Sequence, residues 1–156
     1  MEKKIDLNED FVRALKEMEG SSPLVFITGR AGTGKSTLLR HFRDHTEQSC
    51  AYLAPTGVAA LNIEGETIHS FFRFSPGITV AKAKKAGGAN AQLVKTLDAI
   101  VIDEISMVRA DVLDCVDAFL QSAMRSRAHF GGKRMIFIGD LYQLPPVVTP
   151  DERTAF

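Results

Sequence analysis

Four short runs of nearly continuous apolar residues limit the possible folds of this sequence more than any other feature. The runs are rich in Val, Ile, Phe and Leu, show no alternation with polar residues, and cover residues 24–28, 51–54, 99–103 and 134–139. Strands buried on both faces have this composition, and such strands belong to parallel sheets that helices cover on both sides. The sequence therefore predicts a mostly parallel sheet inside an α/β fold.

Stretches with helical periodicity separate the four runs. They cover residues 7–20, 33–44, 67–74 and 111–124. The first has Asn8 in a favourable N-cap position with acidic residues directly after it. Alternating strands and helices favour a three-layer arrangement with right-handed crossovers. Residues 76–90, which contain three lysines and a Gly-Gly pair, are predicted to be a solvated surface excursion and the least ordered region, with a basic patch facing nucleic acid as the alternative.

The composition is that of one soluble globular domain. The chain has 156 residues, 45% of them hydrophobic, and its nineteen basic and nineteen acidic residues give no net charge. Bulk charge therefore indicates no anionic or cationic partner, so that any contact with nucleic acid requires a local patch. No apolar run approaches the roughly 18 residues that span a bilayer, and the first residues lack a signal peptide. We expect a cytoplasmic protein without a membrane partner.

A glycine-rich loop lies between the first predicted strand and the helix that follows it. Residues 29–36 match the pattern G-x-x-x-x-G-K-[ST] without a gap, and this strand–loop–helix setting lets backbone N–H groups surround phosphate oxygens. We expect Lys35 to bridge the terminal phosphates of a nucleotide and the Ser36 hydroxyl to be a ligand of Mg²⁺. The predicted nucleotide contacts are Gly29, Ala31, Gly32, Thr33, Gly34, Lys35, Ser36 and Thr37.

Two carboxylates follow the third apolar run. Asp103 and Glu104 stand at the tip of a buried strand, where a carboxylate beside the glycine-rich loop can hold the Mg²⁺ shell; we assign that role to Asp103. Glu104 is predicted to orient or deprotonate an attacking water. Two neighbouring carboxylates favour a hydrolase over a protein that only holds a nucleotide.

A third polar segment follows the fourth run. Residues 139–147 read Gly-Asp-Leu-Tyr-Gln-Leu-Pro-Pro-Val, and the two consecutive prolines end regular structure. The stiff turn is predicted to project Gln143 toward the nucleotide, where its amide can hydrogen-bond the γ-phosphate or the attacking water.

These segments together resemble the motifs of superfamily 1 DNA helicases, and their residues are most similar to those of the PIF (petite integration frequency) family. The matching segments, in order, are residues 29–36, 54–60, 67–71, 103–107 and 139–146. The resemblance implies a RecA-like P-loop NTPase, with residues 1–156 forming the first motor domain of a 5′-to-3′ helicase and the second motor domain absent. It implies ATP and Mg²⁺ as ligands, a catalytic set of Lys35, Asp103, Glu104 and Gln143, and single-stranded DNA as partner. The DNA contacts that it implies are Pro55, Thr56, Gly57, His69 and Phe72.

Other readings of the same residues stay open at this point. Helix core is expected for at least one of Phe71 and Phe72, and for His69 a core or surface position is weighed evenly against a contact with DNA. A non-catalytic module that binds ATP and DNA would carry the same motifs. An AAA+ remodelling ATPase is the third class, although it would usually have Asn or Thr where this chain has Gly139 and Asp140.

Two departures from the family pattern carry expectations. Phe11 stands where the family usually has a glutamine that reads adenine, which weakens the expected selectivity for ATP. The chain stops at Phe156, before the motifs that supply the family's catalytic arginines, so very low turnover is expected. The family's sheet has the order 5-1-4-3-2, and without its fifth strand residues 24–28 would form an unpaired edge. Because buried apolar strands at an edge associate, the chain is expected to self-associate.

Overall fold

The structure is a computed structural model that describes residues 8–86 and 89–143, and its strands alternate with helices along the chain. The elements, in order, are α1 Glu9–Glu19, β1 Leu24–Thr28, α2 Lys35–His45, β2 Cys50–Ala54, α3 Gly57–Asn62, β3 Glu66–Thr67, α4 Ile68–Phe72, α5 Val80–Lys85, α6 Ala89–Thr96, β4 Ala99–Ile102, α7 Ala110–Met124 and β5 Arg134–Gly139. Short 3₁₀ turns at Ile105–Met107 and His129–Gly132 follow β4 and α7.

The strands form one parallel sheet in the order β1-β5-β4-β2-β3. The register aligns Ile27 of β1 with Ile138 of β5 and places Ile102 of β4 beside Phe137 of β5. Within the described residues, β1 pairs with β5 alone, as the sequence predicted for residues 24–28. The prediction missed β3 because two polar residues, Glu66 and Thr67, carry no apolar signal.

Helices cover both faces of the sheet, which confirms the predicted three-layer α/β fold. Helices α1, α2 and α3 pack on one face around Phe42, Val101 and Ile136. The opposite face carries α4 to α7, with Phe72 and Phe119 at its centre. All four residues of β4 are fully buried, as expected for a central strand. In the described part of the chain no helix is long and apolar enough to cross a membrane.

Backbone geometry shortens two of the predicted helices. The α2 helix begins at Lys35 instead of Thr33 because Gly34 adopts a left-handed conformation with φ of 91°. The α4 helix ends at Phe72 because Arg73 is left-handed, with φ of 55°. The predicted N-cap of α1 is confirmed, since Asn8 Oδ1 accepts a hydrogen bond from the backbone N–H of Phe11 at 2.8 Å.

Residues 76–90, predicted to be a solvated surface excursion and the least ordered region, contain the ordered helix α5 with its lysines exposed. Thr79 caps this helix by accepting a hydrogen bond from the N–H of Lys82. Ala83 is completely buried, and Ser122 of α7 donates a hydrogen bond to the carbonyl of Lys84 at 2.7 Å. The lysines mark the solvent face of a short helix packed on α7, while Gly87 and Gly88 lie outside the described residues.

Candidate functional site

The glycine-rich loop connects β1 to α2 and is shaped by its own backbone. Gly32 and Gly34 have φ values of 78° and 91°, in the left-handed region that suits glycine. The Thr33 hydroxyl donates a hydrogen bond to the Arg30 carbonyl at 2.8 Å, which closes the turn. No side chain caps α2, so the N–H groups at the start of this helix remain available to an anion.

Lys35 is held over this loop by main-chain oxygens. Its Nζ donates hydrogen bonds to the carbonyls of Gly29 at 2.6 Å and Arg30 at 3.0 Å. The ammonium therefore lies against the same loop whose N–H groups suit phosphate. The Ser36 and Thr37 side chains follow in the first turn of α2 and are exposed.

Asp103 directly follows the central strand β4 and is 7% exposed. Its N–H donates to the Leu53 carbonyl at 2.9 Å, and its Oδ1 accepts a hydrogen bond from the Glu104 N–H at 2.9 Å. The pKa of Asp103 is raised above its usual value, mainly because the carboxyl group is buried. The neighbouring Glu104 carboxylate also raises this pKa, whereas the Glu104 N–H and the Lys35 ammonium lower it. The Lys35 ammonium of the glycine-rich loop thus contributes to the electrostatic surroundings of Asp103.

Glu104 has a strained backbone and an unpaired acceptor. Its φ of 51° is left-handed, a conformation that non-glycine residues rarely adopt. Its Oε2 is buried without a hydrogen-bond partner among the described residues, and the Ser106 hydroxyl is in the same situation. An unpaired buried acceptor costs about 1–3 kcal/mol. The site thus has oxygen atoms suited to a water or a bound group.

Asp140 shapes the turn that carries Gln143, a role that was missed at the level of sequence. It is 3% exposed; its Oδ1 accepts from the Tyr142 N–H at 3.0 Å and its Oδ2 from the Gln143 amide Nε2 at 3.2 Å. The signal was available, because Asp commonly hydrogen-bonds the backbone two residues further on. The prolines to which the stiff turn was attributed, Pro145 and Pro146, lie outside the described residues.

The residues predicted to contact DNA differ in their position and in their burial. Pro55, Thr56 and Gly57 follow β2 at the carboxyl edge of the sheet, the edge where Asp103 also lies. The Thr56 hydroxyl caps α3 by accepting a hydrogen bond from the Ala59 N–H at 3.2 Å. A Cβ atom added to Gly57 would have no other atom within 4 Å. His69 is half-buried, with its ring edge-on to Phe74 at 6.4 Å.

The prediction that Phe72 contacts DNA is wrong. Phe72 is 1% exposed and belongs to the core on the α7 side of the sheet. Its ring stacks on Phe74 at a centroid distance of 5.3 Å and meets Phe119 edge-on at 5.2 Å. A ring that is 1% exposed leaves no face open to a nucleobase. The helical spacing of Phe71 and Phe72 reflected burial, and both are core residues.

A cleft of about 720 Å³ opens between α1, β1 and the glycine-rich loop. Its apolar walls include Phe11, Phe26 and Leu38, while Gly34 and Lys35 line the end formed by the loop. The cleft is large enough for a nucleoside beside the phosphate loop. Phe11, the residue that departs from the family pattern, lies in this cleft.

The comparisons with known proteins agree with this geometry. The model of the family described as PIF1-like helicase matches residues 7–156. The chain is 37% identical over 155 residues to the ATP-dependent DNA helicase Pif1 of Bdellovibrio bacteriovorus, covering 96% of this chain and 35% of the relative. It is 40% identical over 146 residues to the ATP-dependent DNA helicase PIF1 of Saccharomyces cerevisiae, covering 85% of this chain and 16% of the relative.

Solved structures show the same likeness. A crystal structure of Pif1 helicase from Bacteroides in complex with ADP-AlF3 and ssDNA superposes with a TM-score of 0.85 at 35% identity, covering 96% of this chain and 35% of that one. A double mutant of the Bacteroides helicase superposes with a TM-score of 0.88 at 36% identity, covering 100% of this chain and 37% of that one. The chain thus spans about a third or less of the length of these relatives.

Proposed function

The chain belongs to the PIF1-like helicase family, and from this premise we propose that it binds and hydrolyses Mg-ATP as part of a DNA motor. The observation that supports the chemistry most directly is the buried carboxylate oxygen of Glu104 that has no hydrogen-bond partner in the described chain, directly after Asp103 at the end of β4. Such an acceptor costs about 1–3 kcal/mol until a water or a ligand donates to it.

The nucleotide is proposed to bind along the loop and the cleft. The N–H groups of the loop and of the start of α2 receive the phosphates, and the Lys35 ammonium exchanges its carbonyl partners for phosphate oxygens. The nucleoside takes the adjoining cleft, against Phe11. The proposed contacts are those predicted from sequence, namely Gly29, Ala31, Gly32, Thr33, Gly34, Lys35, Ser36 and Thr37.

The donor set at the site fits Mg²⁺. The Ser36 hydroxyl and the Asp103 carboxylate are hard oxygen ligands, and two such ligands with phosphate oxygens and waters suit this ion. When bound, Mg²⁺ neutralises charge on the phosphates. Asp103 is held in place for this role by the hydrogen bond that it accepts from the Glu104 N–H.

The remaining two catalytic candidates act on the attacking water. Glu104 is proposed to accept its proton at the carboxylate oxygen that has no partner in the described chain. Gln143 is proposed to hydrogen-bond the water or the γ-phosphate, because Asp140 holds its amide at the carboxyl edge of the sheet. Asp140 is a positioning residue in this arrangement.

We propose that single-stranded DNA is the partner, contacted by Pro55, Thr56, Gly57 and His69. The support is positional, since the first three residues stand at the carboxyl edge that also carries the nucleotide site. A Bacteroides relative was solved with ssDNA. In the longer helicase, hydrolysis would drive 5′-to-3′ movement along this strand.

Binding of the fluorescent analogue mant-ATP in the presence of Mg²⁺ tests the nucleotide site. Lys35→Ala is expected to weaken binding by about 10- to 150-fold, because a charge-assisted contact is worth about 1.5–3 kcal/mol. Lys95→Ala is the matched control, since Lys95 is an exposed lysine of α6 on the other face of the sheet. Equal affinity of wild type and Lys35→Ala would contradict the proposed site.

A further inference from the structure

The side chain of Arg43 joins α2 to the end of α3. Its Nη1 donates a hydrogen bond to the Ile63 carbonyl at 2.7 Å, and its Nη2 lies 3.0 Å from Glu64 Oε2. A weaker ion pair to the neighbouring Asp44 measures 3.4 Å. The Arg43 side chain is 21% exposed and that of Glu64 is 75% exposed, so the bond to the Ile63 carbonyl is partly shielded from water whereas the ion pair is open to solvent.

The turn that receives Arg43 is anchored to the sheet. Gly65 donates a hydrogen bond to the Ala60 carbonyl at 2.9 Å, which closes the end of α3. Gly65 also lies so close to β2 that a Cβ atom there would be 2.1 Å from the Tyr52 carbonyl oxygen. Ile63 is 6% exposed and packs into the core under α2. The far end of α3 is therefore a fixed point against which α2 is held.

The two helices that Arg43 joins begin at different parts of the proposed site. The α2 helix starts with Lys35 and Ser36 at the phosphate loop, and Ser36 lines the same narrow crevice as Arg43 and Ile63. The α3 helix starts directly after Thr56 and is six residues long, which corresponds to about 9 Å. This length separates the residues proposed to contact DNA from the turn to which Arg43 is hydrogen-bonded.

We propose that Arg43 is a positioning residue that couples nucleotide binding to DNA binding. This inference rests on the proposed function. A shift of α2 on binding the phosphates is transmitted through the guanidinium to the end of α3 and along this short helix to Thr56 and Gly57. Coupling between two sites is reciprocal, so DNA bound at Thr56 and Gly57 would change nucleotide affinity by the same factor.

The coupling is measured as the ratio of two dissociation constants. Binding of fluorescein-labelled oligothymidylate to the 156-residue chain is followed by anisotropy, with and without saturating ADP–aluminium fluoride and Mg²⁺. The wild-type ratio is expected to differ from 1 by at least about fivefold, the lower end of common coupling factors. In Arg43→Gln the ratio is expected to move to within about twofold of 1, while the affinity for each ligand alone stays within about threefold of wild type.

Two further variants separate coupling from stability. Glu64→Gln keeps the bond to the Ile63 carbonyl but removes the ion pair, and is expected to lose part of the coupling. Arg127→Gln makes the same charge change at an exposed residue after α7, on the other face of the sheet, and should keep the wild-type ratio. A role in stability alone would lower the melting temperature of Arg43→Gln and leave the ratio unchanged, which would overturn the proposal.

The outcomes distinguish this inference from the proposed function. A wild-type chain that binds both ligands with a ratio of 1 would overturn the coupling and leave the nucleotide and DNA sites standing. A wild-type chain that binds neither ligand would reject the proposed function, and the inference with it. A ratio that survives in Arg43→Gln, with Glu64→Gln also unchanged, would show that the coupling takes another route.

Discussion

At the scale of single residues, the carboxylates show how local surroundings divide similar side chains into different roles. Asp103, the proposed Mg²⁺ ligand, is buried and accepts a hydrogen bond from the Glu104 N–H. Glu104, one position later, has a left-handed backbone and an unpaired oxygen. A strained backbone and a buried acceptor without a hydrogen-bond partner occur together at functional sites, where a bound ligand can supply the missing donor.

Glu104→Gln separates binding from chemistry. The variant keeps the size and much of the hydrogen-bonding capacity of the side chain but cannot accept a proton at pH 7. We expect mant-ATP affinity within a few-fold of wild type, and we expect the low ATP turnover of the wild-type chain, measured with DNA as phosphate release at high protein concentration, to fall further by about 10²–10⁴. Glu47→Gln, at an exposed residue between α2 and β2, is the control. Turnover equal to wild type would refute the assignment of Glu104 as the base.

Asp111→Asn tests an ion pair away from the site. Arg109 donates two hydrogen bonds to Asp111, at 2.9 and 2.8 Å, and these bonds hold the pKa of Asp111 below its usual value. A lowered pKa contributes stability above the unfolded value, about 3.9, and that contribution disappears as pH falls through the folded pKa.

Because the Asp111 side chain is 38% exposed, solvent screening limits its contribution to about 0.5 kcal/mol. Urea unfolding should show this difference in the free energy of unfolding between wild type and Asp111→Asn at pH 7, and the difference should disappear as the pH falls below the unfolded pKa of about 3.9. Asp114→Asn, at an exposed position of the same helix, is the reference. A difference independent of pH would show that the ion pair is not its source.

At the scale of elements, contacts distant in sequence hold the helices around the site. Arg134 at the start of β5 donates hydrogen bonds to the carbonyls of Met18 at 2.9 Å, Glu17 at 2.8 Å and Ser22 at 2.9 Å. These bonds add to those that the Glu17 and Met18 carbonyls accept from the Gly20 N–H and the Gln48 amide, and they fasten the end of α1 to β5. The same α1 forms one wall of the cleft, so β5 fixes the width of the proposed nucleoside site.

Gly65→Ala probes the close approach of the turn after α3 to the sheet. A methyl group there would meet the Tyr52 carbonyl oxygen at 2.1 Å, and this backbone contact cannot be relieved by a rotamer change. We expect a loss of about 1–3 kcal/mol in the free energy of unfolding, measured by denaturant titration. Gly57→Ala is the control, because nothing lies within 4 Å of its added Cβ. Equal stability of the two variants would contradict the tight contact.

At the scale of the whole molecule, the sheet is asymmetric in how its edges are protected. One edge ends in the two-residue strand β3. Among residues 8–86 and 89–143, the other edge is the five-residue strand β1, in which Leu24 is 53% and Phe26 is 42% exposed. A longer apolar edge strand is a template for pairing with another chain.

Phe26→Lys tests whether the β1 edge makes the chain self-associate. Light scattering across a concentration series is expected to show a rising mass for wild type, and less association for the variant because a charge on an edge strand opposes pairing. Leu93→Lys, at a 45% exposed residue of α6, should behave like wild type. A monomeric wild type at the highest concentrations would contradict this prediction.

Much of the fold was predictable because its signals are local. The apolar runs marked four of the strands, since a strand buried on both faces must be apolar throughout. The Asn8 cap and the glycine-rich loop were equally readable, because each depends on residues next to one another. The α5 helix was missed since its lysines and the following Gly-Gly pair suggested a solvated loop, and only packing against α7 shows which side of it is buried.

Sequence by itself determined which chemical groups the site contains: a phosphate-binding loop with Lys35, a carboxylate pair and an amide at the ends of predicted strands. Tertiary structure alone decided which of those groups share one neighbourhood and which are buried. It placed Asp103 within the electrostatic influence of Lys35, put Phe72 in the core and assigned Asp140 to the support of Gln143. The physical reason is that residue identity sets what a side chain can do, whereas solvent access and neighbouring charge depend on contacts between segments far apart in the chain.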